Sequence, residues 1–330
     1  MSKAPEIVGI GNAIVDVLSQ TNDAFLQAND IAKGAMTLIE TEQAQALYAK
    51  MGPAMEMSGG SAANTMAGIA SLGGAAGYIG KVANDQLGEV FSHDIRALGV
   101  AFSTAPLIGA APTARCMILI TPDAQRSMCT YLGASVLLTP GDVDEKMIAH
   151  AKITYLEGYL FDKEQAKRAF VKAAKISAAA GGRTALSLSD SFCVGRHHEE
   201  FLDLVASHID ILFANETEIM ALYRTGDVAS AIAQAAEHCE IAVVTRGAAG
   251  SMIAYEGEII SIPAEQVAKV VDTTGAGDLY AAGFLHGYAK GMPMAQCGRI
   301  ASIAAGEVIA QIGARPQRSL AELLKEKKAA

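Results

Sequence analysis

From about residue 153 onward, short apolar runs rich in β-branched residues alternate with segments whose apolar residues recur at helical spacing. This alternation predicts parallel strands joined by crossover helices, and therefore an α/β fold with a mostly parallel central sheet. Ligands of such sheets bind beyond the carboxyl ends of the strands, so we expect the chemistry in the loops there. The predicted strands are residues 153–156, 184–188, 209–213 and 241–245, and the predicted helices are residues 163–180, 198–207 and 216–223.

Four earlier strand-like runs lack intervening crossover helices, and they are residues 14–19, 34–39, 115–120 and 127–132. The last two predict a hairpin around Thr121-Pro122-Asp123-Ala124, because proline suits the second position of a turn. We expect insertions at approximately residues 13–40 and 112–132 to form a small β-sheet that covers the site as a lid. Both would belong to a single domain spanning residues 1–330.

The most informative segment is Asp272-Thr273-Thr274-Gly275-Ala276-Gly277-Asp278. It lies between a strand-like run at residues 267–271 and a helical run at residues 279–288, which predicts a strand-to-helix turn. The free N–H groups and the positive dipole end of a helix start favour phosphate oxygens, and the two glycines allow close approach. Asp278 would repel an anion unless it removes a proton or faces a metal. The turn alone leaves a general base and a simple helix cap equally open, and Asp272 is open to being only a turn residue.

Composition narrows the class of partner. The chain has 330 residues, 51% of them hydrophobic, with a formal charge of −9 and an isoelectric point near 5.3. Without a net basic field, nucleic-acid binding is disfavoured, and we expect small-molecule partners. The five cysteines show no Cys-x-x-Cys spacing. No apolar stretch reaches membrane-spanning length, which predicts a cytoplasmic protein that binds no membrane.

Three further constellations could bind a ligand. Asn215 and Glu218 share one helical face after a strand, where they could hold Mg²⁺ through water or orient phosphates; alternatively, they form only a capping box. The glycine turn at residues 58–64 could admit a polyhydroxylated substrate, or be a tight turn with a buried asparagine. Asn12 and Asp16 could bind adjacent sugar hydroxyls, or lie on an exposed edge of the lid.

Together and in this order, these segments resemble the ribokinase-like (PfkB) family of ATP-dependent carbohydrate and nucleoside kinases. The resemblance implies a ribokinase-like three-layer α/β/α domain with a small β-sheet lid, and within the family it is strongest to adenosine kinases. The matching stretches are Gly11-Asn12-Ala13-Ile14-Val15-Asp16, Gly59-Gly60-Ser61-Ala62-Ala63-Asn64, the hairpin that carries Arg126, residues 210–218 with Asn215-Glu216-Thr217-Glu218, and residues 272–278.

The resemblance also implies roles for single residues. Asp278 would take the proton from a primary hydroxyl, beside an anion hole formed by Gly275, Ala276 and Gly277. Arg126 would reach the phosphates, the alternative being a surface salt bridge. The substrate would be bound by Asn12, Asp16, Gly59, Gly60, Ser61 and Asn64, with Tyr159 or Phe161 stacking on a purine. ATP would be bound by Asn215, Glu218, Thr245, Arg246, Gly247 and Gly250.

The implied reaction is transfer of the γ-phosphoryl group of ATP to the 5′-hydroxyl of adenosine. Mg²⁺ would be reached from Glu218 through water, and Asp272 with Thr274 falls where many family members hold a monovalent cation, commonly K⁺. One alternative is a sugar kinase for ribose, fructose or a keto-deoxy sugar acid, because only 5% of residues are aromatic and Glu157 is polar. Another is a non-catalytic nucleoside-binding sensor, although such a protein would need no Asp278. A monomer and a homodimer both remain open, since lid edges can pair.

Overall fold

The computed structural model describes residues 4–123 and 125–329, and the strands and helices below lie within these ranges. The strands are β1 (Ile7–Ile10), β2 (Ile14–Gln20), β3 (Met36–Leu38), β4 (Ala54–Gly59), β5 (Ala76–Ile79), β6 (Ala101–Phe102), β7 (Ala114–Ile120), β8 (Arg126–Tyr131), β9 (Ile153–Glu157), β10 (Arg183–Ser187), β11 (Ile211–Asn215), β12 (Ile241–Thr245), β13 (Ser251–Tyr255) and β14 (Glu258–Ile262). The helices are α1 (Asp23–Ala28), α2 (Thr41–Tyr48), α3 (Ser61–Ser71), α4 (Gln86–Ala97), α5 (Glu145–His150), α6 (Glu164–Ala179), α7 (Ser191–Arg196), α8 (His198–His208), α9 (Glu216–Tyr223), α10 (Val228–His238), α11 (Ala276–Ala289), α12 (Met294–Ile309) and α13 (Leu320–Ala329).

The main sheet has the strand order β14-β13-β12-β11-β10-β9-β1-β5-β6. Its strands from β12 to β6 are parallel, as the sequence predicts, and β13 and β14 continue it antiparallel. Successive side chains of β11 enter opposite hydrophobic cores: Ile211 and Phe213 face one, and Leu212 faces the other. Burial on both faces explains why these strands are continuous apolar runs, and it produces three α/β/α layers.

A second sheet, with the order β3-β8-β7-β2-β4, packs beside the main one. The predicted hairpin is present, because β7 and β8 pair antiparallel. In the predicted turn, Thr121 N–H donates to the Gln125 carbonyl at 3.0 Å, whereas Ala124 lies outside the described residues. The inward residues Val15, Val17 and Met117 join the main hydrophobic core, so the second sheet is anchored by ordinary apolar burial.

Two parts of the second sheet differ from the sequence prediction. A short helix, α1, lies between β2 and β3, and β3 is at the edge of the sheet, where it pairs with β8. The segment β4 also belongs to this sheet, where it pairs antiparallel with β2. Its exposed, methionine-rich start has no alternating apolar pattern, so only its partner strand reveals it as a strand.

The strand predicted at residues 267–271 is wrong. Val270 and Val271 are 53% and 43% exposed, and no strand is assigned there. The N–H groups of Val271 and Asp272 donate to the Ile309 carbonyl at the end of α12, at 2.8 and 3.3 Å. The β-branched run therefore forms an irregular segment, because a helix end rather than a neighbouring strand takes its hydrogen bonds. Sequence patterns also missed α7, α10, β13 and β14.

Two helices place the site against the carboxyl ends of the strands. The helix α3 packs on β1, β5 and β9, and α11 packs against α3 and α12. Their amino-terminal ends are side by side, as the hydrogen bonds between Ser61, Asn64 and Asp278 show. Within residues 4–123 and 125–329, no helix has the length and apolar character needed to cross a membrane.

Candidate active site

Asp278 is held by the neighbouring helix and does not act as the cap of its own. The N-cap of α11 is Gly275, which has a φ of 78° and makes no side-chain cap, and Asp278 lies three residues further on. Its Oδ1 accepts from the Ser61 hydroxyl at 2.6 Å, and its Oδ2 accepts from Asn64 Nδ2 at 3.0 Å. Each carboxylate oxygen keeps a second lone pair for another donor.

The surroundings of Asp278 suit a proton acceptor. Burial raises the pKa of this carboxyl above its ordinary value, while the hydrogen bonds from Ser61 and Asn64 and the charge of Arg315 lower it. Desolvation strengthens the base, and the donors keep it ionised and oriented.

The turn before α11 leaves room for an anion. A Cβ on Gly275 would lie 2.6–2.8 Å from backbone and side-chain atoms of Ala314, so glycine is required by space as well as by its positive φ. Gly277 has open space where a side chain would be. Of the predicted anion hole, Ala276 N–H already donates to the Thr273 carbonyl at 3.2 Å. The N–H groups of Gly277 and Asp278 lie in the first turn of α11, where backbone donors have no partner within the helix.

Asp272 and Arg126 bind each other. Arg126 Nη1 lies 2.7 Å from Asp272 Oδ2, and the two side chains are 12% and 7% exposed. The salt bridge foreseen as the alternative for Arg126 is therefore present, although the pair is nearly buried and does not lie on the surface. Asp272 also accepts from Thr274 N–H (3.1 Å), Thr274 Oγ1 (2.7 Å) and Gly313 N–H (3.0 Å). The turn role foreseen for Asp272 is present, and its carboxylate ties three segments together.

Asn12 is fully buried, and its side chain is bound on both sides by the protein. Asn12 N–H and Nδ2 donate to Glu157 Oε1 at 3.1 and 2.9 Å, and Asn12 Oδ1 accepts from the Ser135 hydroxyl at 2.8 Å. Glu157 Oε2 accepts from Ala62 N–H at 2.8 Å, which joins β9 to the start of α3. Burial raises the pKa of Glu157 to about 7. Glu157 thus holds two predicted substrate-binding segments together.

Asp16 lies in the interior of the second sheet, between β4 and β7, which rules out the exposed lid edge. Burial raises the pKa of its carboxyl to about 6, and the charges of Arg315 and Arg126 oppose that rise. The carboxylate lies so close to Gly59 that a side chain there would clash with it. Gly60, with a φ of 92°, passes equally close to the Asn12 carbonyl. The glycine pair lets the chain pass between Asn12 and Asp16.

Asn215 and Glu218 form the capping box foreseen as the alternative to a ligand site. Asn215 Oδ1 accepts from Glu218 N–H at 2.9 Å, and Asn215 N–H and Nδ2 donate to the two Glu218 oxygens at 2.9 and 2.6 Å. Glu218 is 7% exposed. Burial raises its pKa to about 7, and the described groups that act on it include Asp190 but no cation. A buried carboxylate that faces another acid is suited to a nearby cation.

The loop after β12 is a tight turn at the same edge of the sheet as Asn215, since Thr245 and Asn215 are paired residues at the ends of their strands. Arg246 N–H donates to the Gly250 carbonyl at 2.8 Å. Arg246 Nε donates to Glu216 Oε1 at 2.9 Å. Gly247 and Gly250 have φ values of 54° and 85°. These residues line the end of the sheet beside α9.

Of the two aromatics proposed to stack on a purine, only Tyr159 is accessible. Phe161 is 3% exposed and packs against the rings of Phe170 and Phe201, so it belongs to the core, and its assignment is wrong. Tyr159 is 38% exposed. Burial of its hydroxyl raises the pKa of Tyr159, and the charges of Asp190, Asp278, Glu218 and Glu157 add to the rise.

Sequence patterns missed Arg315, in the loop between α12 and α13. Its side chain is 13% exposed, and its Nε donates to Asn64 Oδ1 at 3.0 Å. The only signal in the sequence is an arginine set between Gly313 and Pro316 after an apolar helix, which is compatible with an ordinary surface loop. Its partners are more than 200 positions away, so tertiary structure alone reveals it.

The model of the pfkB carbohydrate kinase family matches residues 35–320. The chain belongs to this family. Among solved structures, the adenosine kinase from Sinorhizobium meliloti is 52% identical with a TM-score of 0.91, over 98% of this chain and 100% of that one. A probable sugar kinase from Rhizobium etli is 50% identical with a TM-score of 0.91, over all of both chains. The 5-dehydro-2-deoxygluconokinase of Shouchella clausii is 29% identical over 77% of this chain and 80% of its own.

The resemblance seen in the sequence is therefore confirmed, and the fold is that of the ribokinase-like kinases. As a pfkB family kinase, the protein is a phosphotransferase with an alcohol group as acceptor. Membership implies ATP as co-substrate and typically Mg²⁺. The relatives include both nucleoside and sugar kinases, so membership alone leaves the acceptor open.

Proposed function

We propose that this pfkB family kinase transfers the γ-phosphoryl group of ATP to the 5′-hydroxyl of adenosine, giving AMP and ADP. The observation that carries the chemistry is Asp278, a buried carboxylate set at the anion-binding start of α11 and oriented by α3. The choice of acceptor is supported by the 52% identity with the Sinorhizobium meliloti adenosine kinase over nearly the whole of both chains.

In this mechanism Asp278 accepts the proton of the acceptor hydroxyl as the new bond to phosphorus forms. The N–H groups of Gly277 and Asp278 would bind the transferred phosphoryl oxygens, where the helix dipole adds positive potential. Most of the rate enhancement comes from positioning and charge stabilisation, because phosphoryl transfer needs little covalent help from the protein.

The residues around Glu218 fit a magnesium ion held through water. Glu218 is a buried carboxylate without a cation among the described groups that act on it, yet both its oxygens already accept hydrogen bonds from Asn215. It therefore suits the outer hydration shell better than direct ligation. When bound, Mg²⁺ would neutralise phosphate charge. Asn215, Thr245, Arg246, Gly247 and Gly250 would line the nucleotide site beside it.

The acceptor would lie between the two sheets. Asp16 would accept from ribose hydroxyls, since its buried carboxylate has charged neighbours but no hydrogen bond from the described residues. Gly59 and Gly60 would let the ribose approach the backbone, and Tyr159 would stack on the base. The second sheet would then act as the lid, with Arg126 turning from Asp272 toward the phosphates.

A sugar kinase is the second candidate, favoured by the likeness to the 5-dehydro-2-deoxygluconokinase and to the probable sugar kinase from Rhizobium etli. The buried polar pair Asn12 and Glu157 would serve a small hydroxylated acceptor as well as a nucleoside. Because Asp278 and the turn serve either acceptor, the two candidates differ only in the pocket beyond the ribose position.

ADP release from Mg²⁺-ATP, measured with adenosine, inosine, guanosine, ribose, fructose and keto-deoxygluconate, decides between them. We expect adenosine to give the highest kcat/KM. Each acceptor is tested with and without K⁺, because Asp272 and Thr274 are proposed near a monovalent-cation site. A preference for a free sugar would change the proposed acceptor but keep Asp278 as the proposed base. If no acceptor stimulated ADP release, a nucleoside-binding sensor would be favoured.

Tyr159→Ala should lower kcat/KM for the nucleoside far more than kcat/KM for the sugar, through lost stacking on the base. Equal losses for both acceptors would remove Tyr159 from the purine pocket.

A further inference from the structure

Arg315 occupies a central position that the proposed mechanism does not use. It lies in the loop of residues 310–319, between α12 and α13. Its side chain reaches back to the first turn of α3 and to the end of β4. Its Nε donates to Asn64 Oδ1 at 3.0 Å, and its Nη1 donates to the Ser58 hydroxyl. Nη1 also lies 3.5 Å from Asp94 Oδ2 on α4.

These contacts determine how the Asn64 side chain is turned. A carboxamide has one accepting oxygen and one donating nitrogen, so a donor fixed at the oxygen dictates where the nitrogen points. Because Arg315 occupies Asn64 Oδ1, Asn64 Nδ2 is directed to Asp278 Oδ2, at 3.0 Å. An arginine cannot accept a hydrogen bond, so the reversed amide would place two donors against each other.

The anchor of Arg315 is itself fixed. Asp94 Oδ2 accepts from Ser58 N–H at 2.8 Å and from the Ser58 hydroxyl at 2.5 Å, which holds the partner of Arg315 Nη1 in place. On the other side, Ala314 packs against Gly275, and Gly313 N–H donates to Asp272 at 3.0 Å. The same short loop thus touches the anion-binding turn and the helix that orients the base.

We propose that Arg315 positions the general base, holding the Asn64 amide so that it donates to Asp278 and placing a positive charge near this carboxylate. The inference rests on the proposed role of Asp278 as the base. Arg315 acts through Asn64 and through its field, and does not itself touch the reacting atoms.

The positive charge of Arg315 acts on the acidic groups around Asp278. It lowers the pKa of both Asp278 and Asp16, and for Asp16 it is the strongest opposing charge, ahead of Arg126. The polar and titratable groups that act on Asp278 or feel its charge are Ser61 and Asn64 on α3, Asp16 on β2, Tyr155 and Glu157 on β9, Tyr159 after it, and Arg315. Arg315 is the cation in this set, so its removal should make Asp278 harder to ionise.

The test is the pH dependence of phosphoryl transfer in Arg315→Met and Arg315→Lys. The methionine variant loses both the positive charge and the N–H donors of the guanidinium group. We therefore expect kcat at pH 7 to fall ~10- to 100-fold, as for a misplaced catalytic group. The acid limb of its kcat–pH profile should move to higher pH, with partial recovery of kcat at pH 9. KM for ATP should stay within about twofold, because the contacts described for the Arg315 side chain are with Asn64, Ser58 and Asp94, outside the loop of residues 245–250. The lysine variant keeps the charge, so its rate should fall while its acid limb stays in place. A methionine variant with the wild-type pH profile would overturn the role of the charge.

A double-mutant cycle isolates the orienting role. If Arg315 acts through the Asn64 amide, Arg315→Lys should cause no further loss of kcat in an Asn64→Ala background. If the loss of kcat in the double variant equalled the product of the losses in the two single variants, the proposal would be overturned. Arg318→Met is the matched control, because Arg318 lies three residues away in the same loop and pairs with Glu326 at 43% exposure. It should retain the wild-type rate and pH profile.

A crystal structure of Arg315→Met separates this inference from the proposed function. Loss of the contact between Asn64 Nδ2 and Asp278 Oδ2, 3.0 Å in the parent chain, supports the positioning role even if no acceptor is phosphorylated. Retention of that contact would overturn the role even in an active enzyme. Silence of the wild-type chain with every acceptor would count against the proposed function alone.

Discussion

At the scale of single residues, Asp278 combines two properties that are usually opposed. Burial raises its pKa, yet two donors on α3 and the charge of Arg315 keep it available as a carboxylate. A base needs both, because a fully solvated carboxylate is weak and an unsupported buried one is protonated.

Asp278→Asn should lower turnover by ~10²- to 10⁴-fold, because the amide cannot take the acceptor proton. ATP binding should remain, since the N–H groups of the turn are unchanged. Single-turnover ADP formation and an ATP titration measure the two effects. Asp203→Asn, on the exposed side of α8, is the matched control. A variant that retains more than about a tenth of the wild-type rate would remove Asp278 from the base role.

Glu157 should make the fold less stable as the pH rises. Because burial raises its pKa from 4.5 to about 7, the folded state holds a proton that the unfolded state releases between these values. The free energy of unfolding therefore falls between pH 4.5 and about 7 and then levels off. Asp16 and Glu218 act in the same direction, since burial raises the pKa of each.

Urea denaturation of the wild-type protein and of Glu157→Gln at pH 5 and pH 8 isolates this contribution. The wild type should lose more stability between the two pH values than the variant, by on the order of 3 kcal/mol. Glu237→Gln, on the exposed side of α10, should match the wild type. Equal losses in the wild type and Glu157→Gln would show that Glu157 has the same pKa in both states.

At the scale of elements, the start of α11 depends on Gly275 for two separable reasons, conformation and space. Gly257, in the turn between β13 and β14, has a φ of 79° against 78° for Gly275, but its Cβ position is open. Alanine at either position bears the strain of a left-handed backbone, about 1–3 kcal/mol, whereas only Gly275→Ala also meets Ala314.

Gly275→Ala should therefore lose more stability than Gly257→Ala and should also lower kcat ~10²-fold, because the clash displaces the anion-binding N–H groups. Thermal unfolding and ADP release measure the two effects. Gly257→Ala should keep the wild-type rate. Equal destabilisation of the two variants, with equal rates, would show that Ala314 yields to the new methyl group and that the turn is not displaced.

At the scale of the whole molecule, the pair of Arg126 and Asp272 joins the second sheet to the turn before α11. Breaking a nearly buried ion pair leaves an uncompensated charge, which is strongly destabilising. Arg126→Met should therefore loosen the second sheet while leaving the main sheet intact.

Hydrogen exchange of β7 and β8 should accelerate about 10-fold or more in Arg126→Met, because each 1.4 kcal/mol of lost docking energy is a factor of ten in local opening. The strands β9 and β11 should exchange as before. Lys172→Met is the control, since Lys172 on α6 pairs with Glu145 on α5, and neither helix belongs to the second sheet. Unchanged exchange in β7 and β8 would show that apolar packing alone holds the second sheet.

The sequence by itself determined the parts of this protein that depend on local pattern. Continuous apolar runs identified β9 to β12, because strands buried on both faces must be apolar throughout. The glycines and Asp278 were identifiable because a helix start that binds an anion needs those residue types at that spacing. The same reasoning wrongly predicted a strand at residues 267–271, because a β-branched run becomes a strand only where a neighbouring strand accepts its hydrogen bonds.

Only the tertiary structure decided what those residues touch. It showed that Asp278 is bound by Ser61 and Asn64, that Phe161 is core, and that Arg315 reaches a helix some 250 positions earlier in the chain. Burial, pKa and hydrogen-bond partners depend on chain segments brought together by folding, and no local pattern encodes them. Asp278 could therefore be proposed as the base from its motif, whereas its hydrogen bonds to Ser61 and Asn64 and the contact of Asn64 with Arg315 could not be predicted.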